Sequence, residues 1–368
     1  MSNLTIVIPN RSRDFKIVSR SLTSINEQWI QGVKVVVVDY GSTPEYQSDL
    51  NSLIASLRNI EVILCSTQGQ LWNKSRCINM VLKTCVSTYL MVCDMDMIWH
   101  PQALQQVLND ASAKVNYYQV GFLDRSTTDS YNNYETAIES FKSSPEATGI
   151  AVFPVKALKE INGFDEFYHG WGSEDTDAHL RLEKAGYEIC FHSIREHNGN
   201  ESRVLFKHQW HEKAYRSKLS STPYHDMLEQ INQSYLQLTK ELDVYKANIS
   251  QKDNWGIIPL NFNYDKLENP DVFLTTYHIK PNIAALIFKL NTLKQVCVSI
   301  TIYKHDLENN PRTKLKSFFG KKTPVFIGSV KSNQLILELL INRFRNCPYR
   351  YNYDVKTGEI NLVLNIID

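Results

Sequence analysis

Thr88-Tyr89-Leu90-Met91-Val92-Cys93-Asp94-Met95-Asp96 is a short apolar run that stops on two acids. An unbroken apolar stretch of this length, without alternation, is what a strand covered on both faces requires, and such strands belong to α/β sheets. Side chains two apart on a strand leave the same face. Asp94 and Asp96 at its end are therefore expected to stand side by side, a geometry suited to a hard divalent cation and the diphosphate it carries. An acidic pair is more commonly a solvated turn, so the weight falls on its surroundings.

Upstream, the chain alternates short β-branched runs with helical patterns. Residues 5–9 read as a strand. Phe15, Val18, Leu22 and Ile25 mark one face of a helix, and residues 33–38 form a second strand, apolar on both faces over residues 35–38 and ending at Asp39-Tyr40-Gly41-Ser42. Residues 61–65 read as a third strand, followed by a helix carrying Ile78, Val81, Leu82 and Cys85. This βαβ rhythm predicts a parallel sheet, and ligands of such sheets sit beyond the carboxyl ends of the strands. Pro9 to Arg13, Asp39 and Asp94 to Asp96 should thus meet in one crevice. Arg11 and Arg13 after the first strand, with Lys74 and Arg76 opening a helix, are cations positioned to hold phosphates, although solvated surface is the ordinary alternative.

Downstream, residues 124–145 are polar and rich in Ser, Thr, Asn and Tyr, as in a loop or insertion. A strand at 149–153, a helix from Val155 closed by Gly163, and a helix from Glu174 capped by Gly186 follow. Ahead of the last of these lies Gly170-Trp171-Gly172-Ser173-Glu174-Asp175-Thr176-Asp177, three carboxylates and a tryptophan in eight positions. Acids at a helix start complement the dipole and cap free amides, which accounts for one or two of them. A tryptophan between glycines calls for more: an aromatic platform for a sugar ring beside a carboxylate base. His208 and His211 fall within four residues and could complete a metal shell begun by the acidic pair.

Tyr224, Leu228, Ile231, Tyr235, Leu238, Leu242 and Tyr245 recur at spacings of three and four, an amphipathic helix packed on its own domain or against another subunit. Beyond it Val296, Val298, Ile300 and Ile302, and again Ile360, Leu362, Leu364 and Ile366, alternate as in half-buried strands. The chain divides accordingly into residues 1–222, a connecting helix over 223–250, and a strand-rich unit over 251–368.

Composition sets the limits. At 368 residues two folded units are expected, and 40 basic against 39 acidic residues point to no polyanionic partner, nucleic acid included. No run of about 18 apolar residues spans a bilayer, and the first residues enter a strand rather than a signal-like core. Seven scattered cysteines without a CxxC pair argue against a disulfide framework or zinc site, so a cytoplasmic protein is expected, with peripheral contact to the inner membrane face left open.

The order of these blocks resembles the β-1,4-galactosyltransferase family and the bacterial chondroitin-polymerase-type transferases of family 2. Ile8-Pro9-Asn10-Arg11-Ser12-Arg13 is similar to the family's PFRNR segment at the uracil and ribose end, Trp72-Asn73-Lys74-Ser75-Arg76 to its FNRAK segment, and Cys93-Asp94-Met95-Asp96-Met97 to its metal-binding DVD strand. Ile161-Asn162-Gly163-Phe164 followed by residues 170–177 is close to its NGF and GWGGEDDD, the most specific of these signatures. Coverage runs from about residue 4 to 215. The resemblance implies a GT-A domain, a Rossmann-like nucleotide-diphospho-sugar transferase fold, joined to a smaller strand-rich α+β C-terminal domain. It further implies donor contacts at Pro9, Arg11, Arg13, Asp39, Asn73, Lys74, Arg76, Asp94, Met95, Trp171 and Gly172. Metal ligands would be Asp94, Asp96 and one of His208 and His211, and the catalytic base Asp175 with Glu174 beside it.

Departures are plain. Asn10 stands where the family has Phe, its metal-ligating Met has no clear equivalent before His208, and its secretory membrane anchor is expected to be absent. The expected reaction is inverting transfer of a hexose or N-acetylhexosamine, galactose or GalNAc favoured, from a UDP-sugar to a glycan or lipid-linked oligosaccharide acceptor in polysaccharide biosynthesis. It would be assisted by Mn²⁺ or another divalent cation such as Mg²⁺. The amphipathic helix is expected on its own domain, with a homo-oligomer contact as the less favoured alternative. Two rivals remain: a sugar nucleotidyltransferase, which usually shows a glycine-rich, lysine-containing loop that Asn10-Arg11-Ser12-Arg13-Asp14 lacks, and a non-catalytic carbohydrate-binding protein, which would not release UDP.

Overall fold

Strand β1 (Leu4–Asn10) is buried along its whole length, and alternate residues supply two cores. Ile6 and Ile8 pack on one face of the sheet with α1 (Phe15–Asn26), while Val7 packs on the other with the helix that follows β3. Helix α1 starts where Asp14 accepts hydrogen bonds from the amides of Lys16 and Ile17, and it buries Ile17, Val18, Leu22 and Ile25. The structure, a computed structural model, describes residues 3–192, 204–212, 224–241, 264–308 and 310–367.

The chain continues through β2 (Val33–Tyr40), α2 (Pro44–Ala55), β3 (Ile60–Cys65), α3 (Lys74–Thr84), β4 (Tyr89–Val92), β5 (Met97–Trp99), α4 (Ala103–Asp110), β6 (Val115–Tyr118), β7 (Val120–Phe122), α5 (Arg125–Asp129) and β8 (Phe141–Lys142). It then forms β9 (Ala151–Pro154), α6 (Val155–Glu160), α7 (Glu174–Lys184), β10 (Ile189–His192) and β11 (Phe206–His208). Seven strands make the main sheet in the order β10-β6-β9-β4-β1-β2-β3, parallel except for β9, which runs against both β4 and β6. A smaller sheet, β5-β11-β7-β8, stands beyond it. The polar stretch expected as loop carries only α5 and β8.

Helix α8 (Tyr224–Glu241) packs intramolecularly: Leu228 and Asn232 are buried, and Tyr235 stacks on Phe167 with ring centroids 3.7 Å apart. Leu242 and Tyr245, expected in the same helix, lie outside the described residues. The C-terminal unit comprises β12 (Val272–Tyr277), α9 (Lys280–Thr292), β13 (Val296–Tyr303), α10 (Pro311–Phe318), α11 (Gly328–Leu339), β14 (Tyr349–Tyr353) and β15 (Ile360–Ile366). Its sheet, β12-β13-β15-β14, supplies Val298, Ile300, Ile302, Leu362 and Leu364 to a third core with α9 and α11. Both alternating runs read from sequence are strands here. That core also takes in Leu71 and Leu228, so the C-terminal unit is seated on the first domain. The Tyr351 amide donates to Gly69 O at 2.9 Å, and the Leu71 amide to the Tyr349 hydroxyl at 3.2 Å.

Candidate functional site

The carboxyl ends of β1, β2 and β4 do converge, but their side chains divide into internal struts and free chemistry. Asp39 is fully buried. Its oxygens accept from Asn10 Nδ2 at 2.8 Å, Ser42 Oγ at 2.6 Å, the Ser42 amide at 3.0 Å and Gln47 Nε2 at 2.9 Å. Arg11 Nη1 donates to Gln70 O at 2.7 Å, tying the end of β1 to the loop before α3. Gly41 has a φ of +85°, and a Cβ there would meet the Thr67 carbonyl carbon at 2.6 Å, so the approach of these two loops requires glycine.

The acidic pair does not behave as a strand end predicts. Strand β4 stops at Val92, and a turn at Met95 and Asp96 leads into β5 of the other sheet, so the two carboxylates part. Asp94 pairs with Lys74 Nζ at 2.7 Å and stays partly exposed. Asp96 is buried: its Oδ2 lies 3.1 Å from both Arg13 Nη2 and His211 Nε2, and its Oδ1 lies 3.6 Å from His208 Nε2. Burial opposes its ionisation, yet the charges of His208, Arg13 and His211 hold this carboxyl well below the usual carboxylate range.

The donor set fits a divalent cation on chemical grounds. Asp96, His208 and His211 each offer a ligand atom within 4.8 Å of the others, and Asp96 Oδ1 is buried without a hydrogen-bond partner. Both histidines left open by the sequence therefore join Asp96, whereas Asp94 lies outside the cluster. Antiparallel pairing of β11 with β5, His208 opposite Met97, is what brings them there.

Lys74 links the Asp94 turn to the start of α7, with Nζ 3.5 Å from Glu174 Oε1. Burial and the neighbouring Asp175 push the Glu174 carboxyl up to about 7, with Lys74 opposing. Asp175 is half-buried and accepts from the Thr176 amide at 2.8 Å. The other two members of the segment opening α3 point inward, contrary to their expected donor role. Asn73 caps α3 through the Arg76 amide and donates to Glu166 O at 2.8 Å. Arg76 is 1 % exposed, with Nε 2.9 Å from Glu166 Oε2 and Nη1 3.0 Å from Arg345 O.

Trp171 is 59 % exposed on a turn in which Gly170, Gly172 and Ser173 all have positive φ. Asn232 of α8 holds this turn, its Nδ2 donating to His169 O at 2.8 Å and lying 3.2 Å from Gly172 O. A Cβ on Gly170 would press on Leu228 Cδ1 at 3.1 Å, so helix and turn are fitted closely. Sequence reading missed Asn232. The signal was there: an amide set into the apolar stripe of Leu228, Ile231 and Tyr235. It also missed His169, buried against Asn73 and lowered by that burial to about 3, hence a neutral ring.

Residues 5–159 match glycosyl transferase family 2, and residues 132–208 match the family described as the N-terminal domain of galactosyltransferase. β-1,4-Galactosyltransferase 5 of Danio rerio is 31% identical over 104 residues, 26% of this chain and 26% of its own length. The Homo sapiens protein of the same name is 25% identical over 122 residues, 30% of each. The chain thus spans under a third of the length of these curated relatives. Among solved structures, mannosyltransferase PcManGT from Pyrobaculum calidifontis, in complex with GDP-Man and Mn²⁺, is 16% identical, with 64% of this chain and 70% of that chain covered at a TM-score of 0.41. S. aureus TarS 1–349 in complex with UDP is 13% identical, with 71% of each covered and a TM-score of 0.45. Among the described residues no helix is long and apolar enough to cross a membrane. Two family models, glycosyl transferase family 2 and the N-terminal domain of galactosyltransferase, thus meet over residues 5–208, the part of the chain that carries the Asp96, His208 and His211 cluster and the Glu174-Asp175 helix start, and that part is similar to family 2 glycosyl transferases.

Proposed function

We propose that the protein is an inverting, metal-dependent glycosyltransferase that moves a hexose or N-acetylhexosamine from a UDP-sugar to a glycan hydroxyl. Galactose or GalNAc is favoured as the donor sugar, in keeping with the galactosyltransferase relatives. The observation that carries the reading is the cluster of Asp96, His208 and His211 together with the Glu174-Asp175 helix start, which Lys74 ties to the Asp94 turn by pairing with both Asp94 and Glu174.

Asp175 takes the proton of the acceptor hydroxyl as its oxygen attacks C1 of the sugar. The bond from C1 to the diphosphate breaks in the same step, and UDP leaves from the opposite face. Trp171 presents its exposed ring to the sugars, and Lys74 keeps Asp94 and Glu174 in register. Asp96, His208 and His211 would hold Mn²⁺ or a similar ion, which when bound supplies charge stabilisation for the departing diphosphate. Acceptors would be glycans or lipid-linked oligosaccharides, met in a cytoplasmic compartment that suits seven free cysteines.

The test is UDP release from a panel of UDP-sugars with and without Mn²⁺. Metal-stimulated release confined to one or two donors, abolished in Asp175→Asn with UDP binding retained, is the expected result. Near wild-type turnover by Asp175→Asn would remove Asp175 as the base, and no UDP release from any donor would favour a binding protein.

A further inference from the structure

Helix α10 is well made and buries nothing. Asn310 caps it by accepting from the Arg312 amide at 2.9 Å, and Pro311 opens it, yet none of its described side chains is buried. Leu315, Phe318 and Phe319 follow the i, i+3, i+4 spacing of one helix face and are 58 %, 84 % and 67 % exposed. An apolar face left in water is an interaction surface far more readily than an ornament.

Its surroundings identify the occupant. Between Glu308 and Glu338 the sequence holds six Lys and Arg residues and no acid, in a chain whose net charge is +1. Arg312, Lys316, Lys321 and Lys322 are exposed, and among the described residues none of them has a carboxylate partner. Val325 and Val330 are exposed beside them. A short helix with leucine and phenylalanine on one face and cations along its flanks is built to lie in an anionic lipid interface: the rings enter the headgroup boundary while the cations meet phosphates. A second copy of the chain would bring the same positive charge to the contact and be repelled. Nucleic acid would satisfy the cations but leave the Leu315 face uncovered.

We propose that residues 310–325 are a membrane-docking surface for anionic phospholipid, which holds the C-terminal unit against a bilayer. The proposal rests on this surface alone and is independent of the catalytic reading. The full chain is sedimented with phosphatidylcholine vesicles, with vesicles that also contain phosphatidylglycerol, and with duplex DNA. Binding to the anionic vesicles that weakens in high salt, with little binding to phosphatidylcholine alone, is expected. Phe318→Ser/Phe319→Ser and Lys321→Glu/Lys322→Glu should each lower vesicle binding by about tenfold or more while circular dichroism stays unchanged, because these side chains are exposed and belong to no core. Vesicle binding that is absent, or equal in wild type and both variants, overturns the proposal. So does DNA binding that outcompetes the vesicles and ignores the phenylalanine change, which would make the patch a polyanion site.

Discussion

Arg76 separates two views of the segment opening α3. If its guanidinium served the donor diphosphate, replacing it would raise KM for the UDP-sugar and leave stability untouched. The structure assigns it instead to a buried ion pair with Glu166, whose other oxygen accepts from Asn79 Nδ2 at 3.0 Å, and to the Arg345 carbonyl and Asn346 of the C-terminal unit. Arg76→Leu leaves Glu166 without its countercharge at 0 % exposure and leaves the Arg345 carbonyl without this donor, so a loss of about 3–5 kcal/mol is expected. For 368 residues unfolding together, at roughly 2.1 cal/mol/K per residue, this lowers the melting temperature by about 4–6 °C. Neutralising the stranded acid as well, in Arg76→Leu/Glu166→Gln, should restore at least about 1 kcal/mol of that loss, since contacting residues are coupled. Urea unfolding of the three variants and wild type gives the cycle, and UDP titration of each gives the second axis. A midpoint unchanged by Arg76→Leu together with tenfold weaker UDP binding would refute the assignment and return Arg76 to the donor.

Asp96→Asn should abolish Mn²⁺-dependent UDP binding and turnover together, read by calorimetry with and without the ion, because the amide removes the charge that the two imidazoles face. Asp175→Asn should cut turnover by about 10²- to 10⁴-fold, the usual worth of a positioned base, with UDP affinity unchanged. Asn232→Ala strands the buried His169 carbonyl and frees the Trp171 turn, so about 1–3 kcal/mol of stability should go, with a fall in kcat larger than any change in donor KM. Burial and the nearby Asp177 push Asp165 up to about 6, from 3.8 in the unfolded chain. A raised acid binds its proton more tightly when folded, so its contribution is full below about pH 4 and is lost as pH rises through about 6. Asp165→Asn should therefore raise the urea midpoint at pH 7 and leave it near wild type at pH 4.

Periodicity carried most of the fold. The double-faced apolar run at residues 35–38 and the apolar run at 88–93 read as inner strands, and the spacing of Phe15, Val18, Leu22 and Ile25 fits one helix face. What a linear pattern cannot express is where a strand hands its chain to another sheet. Asp94 and Asp96 read as neighbours on one face, but the turn between β4 and β5 sends one to Lys74 and the other to the histidines. Arg76 was misjudged for a related reason. A cation at a helix start looks like a phosphate ligand until Glu166, ninety residues away, is seen to lie against it. The reverse held for His208 and His211: residues three apart near the end of a strand were left as alternatives, and the fold brings both beside Asp96.

The C-terminal unit, which offered no chemical motif, is joined to the site through contacts that chemistry alone would not point to. Helix α8 is the intermediary. Leu228, Met227 and Ile231 pack into the C-terminal core with α11, while Asn232 and Leu228 hold the Gly170 to Gly172 turn that carries Trp171. Ahead of α3, Tyr349 and Tyr351 fix the backbone of residues 69–71, and Trp72 O receives the Gly170 amide at 2.8 Å. The exposed tryptophan is thus gripped from two directions by elements that depend on the second domain. A turn with three positive-φ residues in four has little intrinsic preference for one conformation, so its order must come from such packing. If residues 310–325 rest on a bilayer, the unit that steadies the Trp171 turn is also the unit held at the lipid surface.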